Sequence, residues 1–283
     1  MSRPLLLCTD LDRTLIPNGR EPESPEARPL FRRLVADKAV TLAYVTGRHR
    51  ALVEEAIADH ELPRPDYVIG DVGTSLHALE EGVWRPVHAW EDAIGGAWAG
   101  AGAARIQSLL TDLAELRLQE PDKQGPFKLS YYTPADLDPE ALRARIRERL
   151  APRAIRANLI WSIDEAAEVG LLDVLPENAS KLHAVEFLMN RLGRDTTSTL
   201  FAGDSGNDLE VLVSRIPSVL VANGHPDVRE QARRRSHEQG LEDRLYCAVG
   251  GWRGMNGCYA AGILEGVAHF RPDLAERLTS ESG

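Results

Sequence analysis

The chain is short of the features that would tie it to an oxidising compartment, a nucleic acid or a bilayer. It has only three cysteines, Cys8, Cys247 and Cys258. An odd count without metal-like spacing argues against a disulfide framework and reads as reduced, partly buried thiols. Positive charge is also scarce. Lys and Arg number 33 against 43 Asp and Glu, a net charge of -10. The basic footprint of a nucleic-acid or anionic-membrane surface is therefore missing. A single lysine or a nest of backbone N–H groups could still hold one small anion. No apolar run is long enough to span a bilayer. The opening MSRPLLLCTDLDRT has too short an apolar core for a secretory signal. Internal repeats, heptads and long low-complexity segments are absent. These absences point to a cytoplasmic protein, expected to be a monomer, with no nucleic-acid or membrane partner.

What is present is an ordinary globular composition, 43% hydrophobic and 27% charged over 283 residues. That length suits one large α/β domain, or a core with a smaller insert. Leu5–Thr9 is a short apolar run. Ala27, Leu30, Phe31, Leu34 and Val35 follow helical spacing, Val40–Thr46 reads as a buried strand, Leu52–Ile57 as a helix and Tyr67–Gly70 as a third strand. Alternating strands and helices imply parallel strands with right-handed crossovers. The pattern changes after Gly73. Thr74–Leu79 and Val83–His88 suggest a hairpin, and the small residues of 95–102 read as a mobile connection. Two helical faces and several half-exposed strands follow, including Phe127–Tyr131 and Ala154–Ile163. From about Leu171 the first rhythm returns. The expected fold is α/β, a Rossmann-like parallel-sheet core (1–80 and 171–283) with an inserted α+β cap (81–170).

Asp10 and Asp12 follow the first strand, where ligands bind in open parallel sheets. One carboxylate can stay ionised as nucleophile while the other exchanges a proton with the leaving group. Thr46-Gly47-Arg48 follows the second strand and can offer a hydroxyl and N–H groups to a phosphoryl oxygen, although Thr-Gly is as often a plain turn. Lys181 opens a helix, where the dipole disfavours a cation. A bound phosphate would explain it there, and a surface lysine is the ordinary alternative. The run Gly203-Asp204-Ser205-Gly206-Asn207-Asp208 suits a hard cation that takes oxygen ligands. Mg2+ held by Asp10 and Asp204, with Asp208 behind, fits its habit of few carboxylates and several waters, and the alternative is an acidic helix start.

In order and position these motifs resemble the haloacid dehalogenase superfamily. DLDRT looks like its DxDxT motif, TGR supplies its Thr, Lys181 its Lys and GDSGND its acidic motif. The insert matches the cap of the Cof-type (IIB) branch. QGPFKLSYY, DVLPENASK, VANGHPDV and CYAAGILEGVAHF are similar to the sucrose-phosphate phosphatase family, with mannosylfructose-phosphate phosphatase as a near relative. The resemblance implies attack by Asp10 to form an aspartyl-phosphate, acid/base work by Asp12, whose backbone C=O also binds Mg2+, and phosphate binding by Thr46, Gly47, Lys181 and Asn207. The substrate it implies is a phosphorylated disaccharide, sucrose 6-phosphate first, with mannosylfructose phosphate or another glycosyl phosphate as the alternative. A non-catalytic sugar-phosphate-binding partner of a glycosyltransferase is a further reading, and association of the enzyme with such a transferase is an expected partnership. Gln124, Lys128 and Ser130 are the cap candidates for the sugar, with a solvated outer face as the even alternative. Trp161 and Trp252 have rings that stack on sugars, although aromatics more often pack. The chain departs from the family at Arg13, where Gly or Asn is usual and a solvent-facing side chain is expected, at Leu182, and in the 250–257 segment.

Overall fold

The computed structural model describes residues 4–164 and 167–280. Residues 1–3 and 281–283 of the expected core and 165–166 of the expected cap lie outside the described residues. The chain opens with β1 (Leu5–Thr9), α1 (Ala27–Ala36), β2 (Val40–Val45), α2 (Arg50–Asp59) and β3 (Tyr67–Gly70). The hairpin β4 (Ser75–Glu80) and β5 (Val83–Pro86) precedes α3 (His88–Gly95) and α4 (Ala103–Leu110). Then come β6 (Arg117–Leu118), β7 (Leu129–Pro134), α5 (Pro139–Leu150), β8 (Ala157–Asp164) and β9 (Val169–Pro176). The last part holds α6 (Lys181–Arg191), β10 (Thr199–Gly203), α7 (Leu209–Leu212), β11 (Ser218–Leu220) and α8 (Pro226–Gln239), then β12 (Leu245–Cys247), α9 (Ala260–Phe270) and α10 (Pro272–Ser280).

The larger sheet runs β12-β11-β10-β1-β2-β3-β4-β5. Its first six strands are parallel, and the β4–β5 hairpin is added antiparallel at one edge. β1 is apolar at successive positions because both of its faces are covered. Leu5 and Leu7 join a cluster with α1, α2, α9 and α10, while Leu6 and Cys8 join one with α3, α6 and α7. The result is the expected α/β core, three layers deep.

The smaller sheet, β6-β7-β9-β8, is antiparallel. Leu129, Tyr131, Leu172 and Val174 on one of its faces pack under Ile106 and Leu110 of α4 and Leu142 and Ile146 of α5. Its other face turns to the core, through Ile160 and Leu175. That second contact is why Lys128 and Ser130, expected on a half-exposed strand, are buried.

Strand partnership places both expected boundaries inside the opposite unit. Residues 81–86 complete the hairpin of the core sheet, and residues 171–176 extend the cap strand β9. A hairpin cannot be divided without leaving an open ladder, so a division near 96 and 177 suits the hydrogen bonding better.

The 95–102 stretch is not the loose connection that its glycines suggest. Ala97 and Trp98 are buried, and the Trp98 ring packs tilted on Phe127 with centroids 5.9 Å apart. Ala99 and Gly100 then turn the chain through left-handed conformations into α4. Truncating this anchor, Trp98→Ala, is expected to cost about 3–5 kcal/mol. Urea unfolding measures it, and a loss near zero would mean the connection is mobile after all.

Candidate active site

β1 lies between β2 and β10, so the sheet order reverses beside it and a crevice opens past the strand ends. The three loops leaving these strands carry Asp10 and Asp12, Thr46 and Gly47, and Asp204 to Asp208. The Asp10 N–H donates to the Ala202 carbonyl at 2.9 Å, which carries the strand pairing up to the first carboxylate. Beyond it the chain winds around one acceptor: the N–H groups of Thr14, Leu15 and Ile16 all point to the Leu11 carbonyl.

Arg13 sits on this winding with φ 58°. Gly and Asn favour that left-handed conformation, so an arginine there has to be held in it. The turn is held from both sides, with Arg13 N–H donating to Asn18 Oδ1 at 2.8 Å and Asn223 Nδ2 donating to the Arg13 carbonyl at 2.6 Å. The side chain is not simply turned to solvent. Its Nε lies 3.5 Å from Asp204 Oδ2, and its Nη2 donates to the Asn223 carbonyl at 3.3 Å.

Lys181 begins α6, behind the N-cap Ser180, and is 2% exposed. Its Nζ lies 2.7 Å from Asp208 Oδ1, 2.8 Å from Asn207 Oδ1 and 3.3 Å from Asp10 Oδ2. Burial pushes the ammonium down, but Asp10 and Asp208 outweigh it and hold it above the usual lysine range. Asp208 Oδ2 accepts from the N–H groups of Asp204 and Ser205, both at 3.1 Å. Both oxygens of Asp208 thus accept hydrogen bonds inside the protein. Thr14 Oγ1 donates to Asp204 Oδ1 at 3.0 Å.

The loop before β4 braces this lysine. Asp71, Val72 and Gly73 have φ of 52°, 59° and 97° in succession. Val72 is strained there, since a β-branched residue avoids the left-handed region. Gly73 has no room for a side chain: a Cβ would lie 2.3 Å from the Ser180 carbonyl carbon. The Gly73 carbonyl accepts from Trp90 Nε1 at 3.0 Å, which links α3 to the same brace.

Asp12 is held differently. Arg48 grips it with a two-pronged pair, Nε to Oδ2 at 2.8 Å and Nη2 to Oδ1 at 2.6 Å, and Asn18 Nδ2 donates at 2.8 Å. Burial pushes this carboxyl up, but the Arg48 fork and Asn18 outweigh it and hold it below the usual carboxylate range. Thr46 is buried, and its Oγ1 accepts from the Arg48 N–H at 3.2 Å.

A cavity of about 270 Å³ opens over these groups. Core loops line one side, and Asp122, Lys123 and Lys128 of the cap line the other. Of the three sugar candidates only Lys128 reaches it. Gln124 spends its side chain locally, donating to the carbonyls of Gln119 and Ser130 and accepting from the Ser130 N–H. Ser130 Oγ donates to the Asp173 carboxylate. Neither residue is among those lining the cavity. Trp161 Nε1 donates to Thr133 Oγ1, and Trp252 packs on the core, so neither ring lines it. The 250–257 segment is a clip. Glu265 accepts from the N–H groups of Val249 and Gly250, and Asn256 Nδ2 donates to the Pro22 carbonyl.

Sequence reasoning missed Arg48, although it lies inside the TGR motif, and it missed Asn18, Asp71, Asp122 and Lys123. Asn18 and Asp71 left no signal, because their partners come from turns that only the fold creates.

The acidic groups suit a cation. Oxygens of Asp10, Asp204 and Asp208 lie within 4.8 Å of one another. Burial is the first cause that pushes Asp10 well up and Asp204 to about 7, and the neighbouring carboxylates add to it. Lys181 does not balance the group, and the all-oxygen donor set matches a hard divalent ion.

The chain matches the family model "Sucrose-6F-phosphate phosphohydrolase" over residues 3–271. It is 49% identical to a protein of Nitrosococcus oceani described as an HAD-like hydrolase, over 96% of this chain and 73% of that one. It is 29% identical to the mannosylfructose-phosphate phosphatase of Agrobacterium fabrum, over 95% and 98%. Among solved structures, the sucrose-phosphatase of Synechocystis in complex with sucrose and phosphate superimposes with a TM-score of 0.74 at 27% identity, over 95% of this chain and 98% of that one. Against two plant relatives from Arabidopsis thaliana the chain spans 62% of their length. Among the described residues no helix is long and apolar enough to cross a membrane.

The raised Asp204 has a thermodynamic consequence. Burial and Asp208 push the Asp204 carboxyl up to about 7 in the folded protein, whereas the unfolded chain releases the proton near the ordinary carboxylate value. Between the two the folded state binds more protons, so this group's contribution to stability falls as pH rises. In a chelator, the wild type is expected to lose more thermal midpoint than Asp204→Asn between about pH 5 and about pH 7.5, and Mg2+ should restore most at the upper end. Melting curves at several pH values, with and without Mg2+, measure it. A difference that grows in the opposite direction would contradict the assignment.

Proposed function

The chain belongs to the sucrose-6F-phosphate phosphohydrolase family of the haloacid dehalogenase superfamily and is a phosphoric monoester hydrolase, and we propose that it removes phosphate from a disaccharide phosphate, sucrose 6-phosphate first. The observation that carries this reading is the convergence of Asp10, Asp12, Lys181 and Asp204 beneath a polar cap wall. Mannosylfructose phosphate is the second candidate, favoured by the Agrobacterium relative. The enzyme would act as a cytoplasmic monomer on a product of a glycosyltransferase, with or without contact to that transferase.

In the proposed mechanism an Asp10 carboxylate oxygen attacks phosphorus, and the bond from phosphorus to the sugar oxygen breaks. Asp12 gives its proton to that oxygen. A water then attacks the aspartyl-phosphate, Asp12 takes the water's proton, and the bond from Asp10 to phosphorus breaks to release phosphate. Lys181 neutralises charge on the phosphoryl oxygens, with Thr46, the Gly47 N–H and Asn207 as further contacts. Mg2+, held by Asp10, Asp204 and the Asp12 carbonyl with Asp208 behind, would supply further charge neutralisation to the same oxygens. In the free enzyme Arg48 keeps Asp12 as the base that the second step needs. An incoming phosphate competes for Arg48 and repels the Asp12 carboxylate, which favours the protonated acid that the first step needs.

Phosphate release is the test, measured on sucrose 6-phosphate, mannosylfructose phosphate, glucose 6-phosphate and p-nitrophenyl phosphate. A disaccharide phosphate is expected to lead in kcat/KM, and Asp10→Asn to lose about 10³-fold or more. Equal turnover of all four would remove the disaccharide claim, and an active Asp10→Asn would remove the nucleophile.

A further inference from the structure

Lys128 is the one cap candidate in the cavity, and its position poses a physical problem. It is 5% exposed, and among the described residues its side chain has no hydrogen bond or close ion pair. The side chain is enclosed while it lines the cavity, where a neighbouring charge or a ligand can compensate the hydration its ammonium has lost.

The compensation lies on the neighbouring strand. In the β7–β9 register Ser130 stands opposite Asp173. Lys128 precedes Ser130 by two residues, the spacing that puts side chains on one face of a strand. Leu129, Tyr131, Leu172 and Val174 fill the other face, inside the cap. Lys128, Ser130 and Asp173 therefore form a row on the face that roofs the cavity. Lys128 lines the cavity and Asp173 does not. Ser130 Oγ donates to Asp173 Oδ1 and fixes the carboxylate. Burial pushes the Asp173 carboxyl up, while Lys128 and the Ser130 hydrogen bond draw it back, so the two charges feel each other across the row. The remaining charge in that group is Asp71 of the core, which lines the cavity and opposes Asp173.

We infer that Asp173 is a positioning residue for substrate selection: its carboxylate, tethered by Ser130, holds the Lys128 ammonium in the cavity to meet the hydroxyls of the sugar. The inference rests on the sugar-phosphate reading above. It assigns Ser130 a supporting part and leaves direct contact to Lys128. A purely structural Asp173 would merely tie β7 to β9.

A double-mutant cycle separates these cases. Wild type, Asp173→Asn, Lys128→Met and the double variant are compared in kcat/KM on the preferred disaccharide phosphate, sucrose 6-phosphate or mannosylfructose phosphate, and on p-nitrophenyl phosphate, which carries no sugar. Asp173→Asn is expected to lower the ratio of the two by about tenfold, mostly through KM of the sugar substrate. Lys128→Met should lower it at least as far, and the double variant no further than Lys128→Met alone. Asp173→Glu, which keeps the charge, should recover part of the ratio, and it carries the comparison if Asp173→Asn does not fold. Additive losses, or equal losses on both substrates, overturn the inference while the disaccharide preference of the wild type stands. A wild type without that preference overturns both.

Discussion

The Lys181 ammonium lies 2.7 Å from Asp208 and 3.3 Å from Asp10, and loops from both halves of the chain meet on it. Three buried carboxylates this close would repel one another out of a folded loop arrangement without a cation among them. The rest of the core can be understood as what keeps that cation in place. β1 must lie beside β10 so that Asp10 and Asp208 face the same point. Ser180 must cap α6 so that Lys181 is delivered at its first turn. Val72 accepts an unfavourable backbone so that Gly73 can pack directly on Ser180 and Lys181. Arg13 adds a second positive group at the far side of Asp204. The constellation nevertheless remains short of positive charge, and a divalent ion fits that shortage.

Asp12 belongs to another electrostatic neighbourhood although it is two residues from Asp10. Desolvation raises Asp10, while the Arg48 fork lowers Asp12. One pair of aspartates is thus split into different proton affinities by its surroundings, but in the sense opposite to the proposed roles, so a cation on Asp10 and a phosphate on Arg48 would have to bring Asp10 to the carboxylate and Asp12 to the acid. The sheet supplies the rigid placement. The cap supplies the opposite wall, built on an antiparallel sheet that is apolar towards its own helices and polar towards the crevice.

Much of the core was legible in the sequence, because buried parallel strands announce themselves. LLLCT and VTLAYV are almost wholly apolar, and the chemistry-bearing residues follow directly after them. The helices α8 and α10 were not legible. α8 buries only Val228, Ala232 and Ser236 among many charges, a stripe too thin to stand out. The cap boundaries misled for a related reason: strands of core and cap have the same local composition, and only their partners tell them apart. At the site, motif residues could be named, but their hydrogen-bond partners could not. Arg48 to Asp12 spans 36 positions and Arg13 to Asp204 spans 191, and no local pattern encodes such pairs. Gln124 and Ser130 show the reverse error. Their polarity suggested a ligand, but the fold uses it to satisfy backbone and carboxylate.

The Gln124 side chain has one further implication. All its partners lie between residues 119 and 130, so the turn that presents Asp122, Lys123 and Lys128 is stitched to itself and to β7. Such a turn is a cassette. Its sequence can drift or be exchanged while the catalytic loops, whose bonds run across the whole chain, stay as they are. A protein built in this way can acquire a taste for a different sugar without relearning how to cut a phosphate ester.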